Sequence, residues 1–292
     1  MDLVAVMPAV AVPVAAGNMK TNNSMKKIIF AGGCLLISSG IVTAQSIRIA
    51  TGKKFGVTIL NATVTNMSMM GQDLEMNIGS NAEQEYEVKT VTASGFSLLR
   101  TQKRITASAS VMGQEQKFDS DDEAARDIPG MGELFKQINK QQEIKVENGK
   151  TVSSGDTVSA VSGMGMNLGN LLDVSKLFLT VPAAQLKQGY SWADSSISEN
   201  TRTVNQYLVT STANQQVEVK VSTDTKIKAT LQQGGVEVKQ DMKGFSTATR
   251  LYDSSNGLLI SEKLSLEMTG TAEVMGMNAP MTVKTTITTT VK

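Results

Sequence analysis

Three methionine pairs, Met67/Met69, Met164/Met166 and Met275/Met277, come closest in type and spacing to a chemical site. Thioether sulfur is a soft ligand that suits Cu(I). A methionine-only site needs three thioethers to converge. These pairs lie far apart, and the chain has no histidine and a single cysteine, Cys34, to assist them. The plainer reading uses strand geometry. Residues i and i+2 share a face, so M-x-M sets two flexible apolar side chains into a core or cavity wall.

A second cluster, Asp119-Ser120-Asp121-Asp122-Glu123, offers the oxygens a hard cation wants. It lacks the glycine and distal glutamate of a calcium loop. Ser120, three residues before Glu123, reads instead as a capping box that opens a short helix. Without histidine there is no Ser–His or Cys–His catalysis and no His-ligated zinc or haem. The one S-x-x-K match, Ser24 to Lys27, sits at the edge of a leader, and no phosphate-binding glycine motif is present. Trp192 is the only tryptophan and lies in an expected strand, where core packing suits it. These residues predict no enzyme, no metal and no cofactor. A formal net charge of +1 over 292 residues makes no electrostatic case for nucleic acid.

The N-terminus reads as an address. Met25-Lys26-Lys27 precedes an apolar run over 28–42 and then Thr43-Ala44-Gln45, the parts of a secretory signal peptide cut before Gln45. The run is shorter than the roughly 20 helical residues a bilayer needs, and no later segment is longer. Residues 1–24 fit a start at Met25, with a genuine extension as the alternative. Ala31-Gly32-Gly33-Cys34 resembles a lipobox, but too few apolar residues precede it. The expectation is a soluble protein exported to the periplasm or cell envelope, with an extracellular location as the variant.

The elements that would position any site are strands. From Val217 to Leu231, apolar residues or threonine alternate with Glu218, Lys220, Asp224, Lys226 and Lys228, which is a strand with one wet face. Gly234-Gly235 turns it into Val236 and Val238. Residues 57–65, 74–78, 86–92, 96–111 and 281–291 read as further strands, and Asn148-Gly149 is a hairpin turn. Met-Gly recurs at three expected hairpin tips, Met70-Gly71, Met112-Gly113 and Met275-Gly276, and reads as turn glycine rather than duplication. Around 120–180 the period changes, and short helices are expected near 123–128, 134–138 and 168–179.

Two segments carry a family resemblance. Val181-Pro182-Ala183-Ala184-Gln185-Leu186-Lys187-Gln188-Gly189-Tyr190-Ser191-Trp192 resembles a proline, glycine, tryptophan signature of exported bacterial proteins. Leu251-Tyr252-Asp253-Ser254-Ser255-Asn256-Gly257-Leu258-Leu259 resembles the strand–turn–strand that follows it. Together they resemble an uncharacterised family of secreted β proteins, a domain of unknown function. That family is similar in architecture to lipoprotein-localisation-factor half-barrels, whose curved sheet and helical lid shelter an acyl chain. The resemblance implies fold and location and supplies no catalytic residues.

The sequence therefore predicts a mainly β fold: a large curved antiparallel sheet, half-barrel-like, with short helices inserted around residues 120–180. Residues 45–292 form one β-rich domain, with β halves at 45–119 and 181–292 and a middle at 120–180. The expected function is non-catalytic binding of an apolar or lipid-like ligand under a helical lid. Its lining would come from Met131, Leu134, Phe135, Met164, Met166, Leu168, Leu171 and Leu172. The alternative is an envelope protein that engages a partner protein through its sheet edges. Methionine-based Cu(I) binding stands third.

Overall fold

A computed structural model describes residues 48–69, 71–92, 94–111, 113–127, 135–154, 173–181, 185–198, 200–233, 236–274 and 276–292. The first β half supplies β1 (Lys54–Met69), β2 (Gln72–Val91), β3 (Gly95–Val111) and β4 (Gln114–Asp119). The middle adds β5 (Gln141–Glu147) and β6 (Lys150–Ser154). The second half supplies β7 (Ser191–Ile197), β8 (Thr201–Ser211), β9 (Gln216–Gln233), β10 (Val236–Asp253), β11 (Leu259–Val274) and β12 (Met277–Val291). All pair antiparallel in one 12-stranded sheet of order β6-β5-β3-β2-β1-β12-β11-β10-β9-β8-β7, with β4 beside β3.

The alternation read from the sequence sets the faces. On β9, Val217, Val219 and Val221 are buried while Lys220, Asp224, Lys226 and Lys228 are exposed. The register carries that inner face across the sheet, from Val219 to Arg250 on β10, Glu262 on β11, Thr289 on β12 and Ile59 on β1. The outer face carries the charges, in cross-strand pairs such as Lys228–Asp241 (3.1 Å) and Lys239–Glu273 (3.1 Å). Such exposed pairs keep the face wet and add little stability.

Two expected strands, 74–78 and 86–92, are one. β2 runs unbroken through the polar stretch Gly79-Ser80-Asn81, because β1 pairs with it residue by residue. Pairing with a neighbour overrides weak local propensity there. The Asn148-Gly149 turn is as expected, with both residues at positive φ (51° and 72°). Gly71, Gly113 and Gly276 also have positive φ, and each follows a Met in a two-residue link between paired strands. Those three links lie at one end of the sheet, called the turn end below.

In two of the expected helical segments the described residues form single turns. Glu123–Asp127 and Val174–Leu177 are 3-10 turns. Ser120 does not cap the first: its Oγ accepts the Ile105 N–H at 3.0 Å, and Asp122 takes the capping role toward Ala124 N–H. Near 134–138, Phe135 is helical, Lys136 and Gln137 form a turn whose Ile138 N–H reaches Phe135 O, and Ile138 bridges Gln102; Leu134 lies outside the described residues. In 168–179, the described part is the Val174–Leu177 turn followed by extended Phe178, which bridges Leu258.

That last segment shows how strongly the sheet curls. The Phe178 ring meets Phe96 of β3 at 4.6 Å and Phe55 of β1 at 6.3 Å. Two residues earlier, the Lys176 carbonyl accepts a hydrogen bond from the Tyr252 hydroxyl of β10 at 3.2 Å. In a flat sheet, β3 and β10 would stand about 24 Å apart at the usual strand spacing. One short turn touches both, so the inner face is concave. Leu177 and Phe178 fill the concavity at the end away from the Met-Gly links, called the base below, and burying each contributes about 1.5–3 kcal/mol.

Candidate functional site

The inner face changes character along the strands. At the base it is closed by Leu177 and Phe178, set on Phe55, Val88, Phe96, Leu98 and Leu259, all buried. Beyond the base, the same alternation keeps delivering apolar side chains. Leu264, Leu266 and Ile287 stand on one flank of the joint between β1 and β12, and Leu74, Met76 and Ile78 on the other. These are only half-buried, and among the described residues no element lies across them toward the turn end. Val111 and Met277, at the turn end, are 45% and 39% exposed.

Between the two zones lie buried polar groups. Arg250 and Glu262 are cross-strand partners with Nε–Oε1 at 2.7 Å, and their side chains are 7% and 6% exposed. Burial works against the Arg250 charge, but Tyr252 and Glu262 outweigh it and hold the guanidinium protonated. Burial likewise raises the Tyr252 phenol. On the other flank, the Tyr86 hydroxyl donates to Gln84 Oε1 (2.7 Å) and Gln84 Nε2 donates to Gln102 Oε1 (2.9 Å), while Arg100 bonds Gln142. Burial pushes the Tyr86 phenol up to about 12, against the pull of Arg100. These charges are answered by protein groups, which lets an apolar face tolerate them.

An aromatic stack closes the β7 flank. Trp192 lies between Tyr190 (5.6 Å) and Tyr207 (4.7 Å, 4° between planes) and is half-buried against the core, as expected from its strand position. Burial and then the Asp194 charge raise the Tyr207 phenol, whose hydroxyl donates to Asp194 Oδ2 at 3.0 Å.

Of the eight expected lining residues, Phe135 is placed: half-buried, edge-to-face on Phe118 at 5.4 Å. Met131, Leu134, Met164, Met166, Leu168, Leu171 and Leu172 lie outside the described residues. Met67 is half-buried on the inner face opposite Met281, with Leu74 on its other side, as expected for a cavity wall. The acidic cluster is engaged otherwise. Arg104 holds Asp119 (2.6 Å) and Asp121 (3.1 Å), and its hydrogen bond keeps the Asp119 carboxyl below its ordinary range. Among the described residues, no group of three His, Cys, Asp or Glu is arranged to hold a metal.

The inner residues that matter here, above all Arg250, Glu262, Leu264 and Leu266, were not singled out from the sequence. The available signal was phase, since Glu262 alternates in step with Leu264 and Leu266. Two methionines add a detail of fit. Met242 and Met268 are buried because each lies over a glycine of the neighbouring strand, Gly270 and Gly244. A Cβ at Gly270 would meet Met242 Sδ at 2.8 Å, and one at Gly244 would meet Met268 Cγ at 2.5 Å.

Fold and face together define an open, amphipathic antiparallel sheet with a concave apolar side. Residues 173–259 match a family of unknown function (DUF6263), and that match contains both segments whose resemblance pointed to such a family. No curated protein matches the chain. Among solved structures, one of lipovitellin, described by its lipid–protein interactions, aligns at 8% identity with a TM-score of 0.50. It covers 83% of this chain and 25% of that one, so the chain spans about a quarter of that protein's length. OccK7 (OpdD) of Pseudomonas aeruginosa aligns at 7% identity over 82% of this chain and 99% of its own, with a TM-score of 0.25. An outer membrane channel of Pseudomonas putida F1 aligns at 8% identity over 85% and 98%, with a TM-score of 0.24. At these identities the lipovitellin likeness is one of fold. No helix among the described residues is long and apolar enough to cross a membrane.

Proposed function

We propose that this protein binds an apolar, lipid-like ligand along the concave face of its sheet and acts without catalysis, in the cell envelope after export. The observation that carries the reading is the half-buried row of Leu264, Leu266, Ile287, Ile78 and Met76, beyond the zone that Leu177 and Phe178 close. Apolar side chains left partly wet on a concave face are what a hydrocarbon chain would cover, at about 25 cal/mol per Å² removed from water. The lipovitellin-like fold supports the reading. The signal-peptide pattern before Gln45 supports export.

Native mass spectrometry of protein purified gently from its own host tests this. A bound mass in the lipid range, lost on denaturation, is the expected result. A protein that is always bare, and that also fails to take up the fluorescent hydrocarbon diphenylhexatriene, would sink it. Cover by the middle segment is a further part of the proposal. Replacing residues 158–170 with a Gly/Ser stretch of equal length leaves Leu177 and Phe178 in place and should weaken ligand retention.

A further inference from the structure

One corner of the inner face is built differently from the rest. Along β3 the inward side chains shrink from Phe96 and Leu98 to Ala107 and Ala109, all of them buried. The Glu123–Asp127 turn stands beside this low floor, and the space left is a pocket of about 560 Å³. Ser80, Ala107, Phe118, Asp122, Ala124 and Ala125 are among its walls.

Three side-chain polar atoms are buried without a hydrogen-bond partner among the described residues, and two, Ser80 Oγ and Asn81 Oδ1, belong to residues lining this pocket. Ser80 is 7% exposed and in phase with Ile78 and Ala82, so its hydroxyl interrupts an otherwise apolar row. Native structures satisfy the great majority of buried polar groups, and an orphan next to a cavity has bonding capacity left for a water or a ligand hydroxyl that enters it. Lys117 stands at the rim with Asp119 and Asp122, and Asp119 is held by Arg104, so both signs of charge are present and neither is left to be answered by a ligand. An uncharged hydroxylated head, which can both donate to and accept from the Ser80 hydroxyl, fits there.

We propose that this pocket holds the hydroxylated, uncharged head of a single-chain amphiphile, with Ser80 as its hydrogen-bonding partner and the chain lying on the apolar row that continues through Ile78 and Met76. The assignment rests on the ligand-binding reading above and names the ligand class.

The test is displacement of diphenylhexatriene by monoolein and by methyl oleate, which share an acyl chain and an ester and differ in the alcohol part, glycerol with two free hydroxyls against methanol with none. Monoolein should compete at about fivefold lower concentration. Ser80→Ala should abolish that advantage and leave methyl oleate unchanged, while raising or preserving the melting temperature, because it removes an unanswered hydroxyl. Ala107→Phe, which fills the pocket, should weaken monoolein at least tenfold. Equal competition by the two esters, or a monoolein advantage that survives Ser80→Ala, overturns the head-group assignment and leaves the ligand-binding reading standing. A melting temperature lowered by Ser80→Ala also overturns it, because Ser80 then has a structural role. Failure of the wild-type protein to take up diphenylhexatriene, together with a bare mass in native mass spectrometry, removes both.

Discussion

The two ends of the inner face present side chains of similar kind in different circumstances. At the base, Phe55, Leu98 and Val219 share one buried core with Leu177 and Phe178 and lose their contact with water. Toward the turn end, Leu264 and Leu266 on β11 and Ile78 on β2 follow the same alternation on other strands of the same sheet and stay half-buried. The difference lies in what lies over the strands, since the pairing is continuous from one end to the other. An apolar row by itself does not distinguish core from binding surface; the element that covers it does.

The sharpest way to break that comparison is at the base. Phe178→Ala should cost about 3–5 kcal/mol, read by urea unfolding, because it empties a site shared by β1 and β3. Next comes the ion pair between the two zones. Glu262→Leu alone should cost about 3 kcal/mol by stranding a buried guanidinium, whereas Arg250→Met with Glu262→Leu should be nearly neutral. A double variant as unstable as the single one would mean that the pair is more than mutual compensation.

Alkaline unfolding probes the polar groups between the two zones. The Tyr86 phenol ionises at its ordinary value of 10.0 when unfolded and at about 12 when folded. The unfolded state therefore releases its proton first as pH rises. The stability tied to the neutral phenol is complete below pH 10 and is lost as pH climbs to about 12, a loss of about 2–3 kcal/mol. Tyr86→Phe should flatten that part of the profile. Leu266→Ala, at the turn end, should cost only about 1 kcal/mol without ligand, and a cost equal to that of Phe178→Ala would erase the distinction between the ends. The smallest effect belongs to the outer face. The Asp119 carboxyl, held down by Arg104, contributes stability above its ordinary pKa that is lost as pH falls through the lower folded value. Asp119→Asn should therefore differ slightly from the wild type at pH 7 and converge with it near pH 2.

Much of this architecture was legible beforehand. Residues 217–231 declare a strand because their charges fall on every second position, and Asn148-Gly149 declares a hairpin because few other dipeptides tolerate two positive φ angles. The middle was less legible. Ser120 and Glu123 satisfy a local capping pattern, yet the Ser120 hydroxyl is taken by Ile105, 15 residues away, a competitor that only sheet pairing brings near. The candidate site was hidden for the same reason. Arg250 and Glu262 stand in phase with apolar neighbours, but nothing local says that they oppose one another across a strand gap. Gly79-Ser80-Asn81 reads as a break, and the orphaned Ser80 hydroxyl appears only once β1 and β3 hold β2 straight through it.

The joint between β1 and β12 bears on how the molecule comes into being. Gly56 and Lys292 exchange backbone hydrogen bonds at 2.9 Å in both directions, so strands from opposite ends of the described chain meet in the middle of the sheet. Apart from the pairing of β3 with β5, each wing on either side is made of hairpins that can zip up from local links as the polypeptide emerges. The seam between them closes the longest loop in the fold and carries the largest entropic toll. Assembly thus waits for the last strand to be made. Until then, the edges of β1 and β11 that will receive it stay bare and open to pairing with other chains.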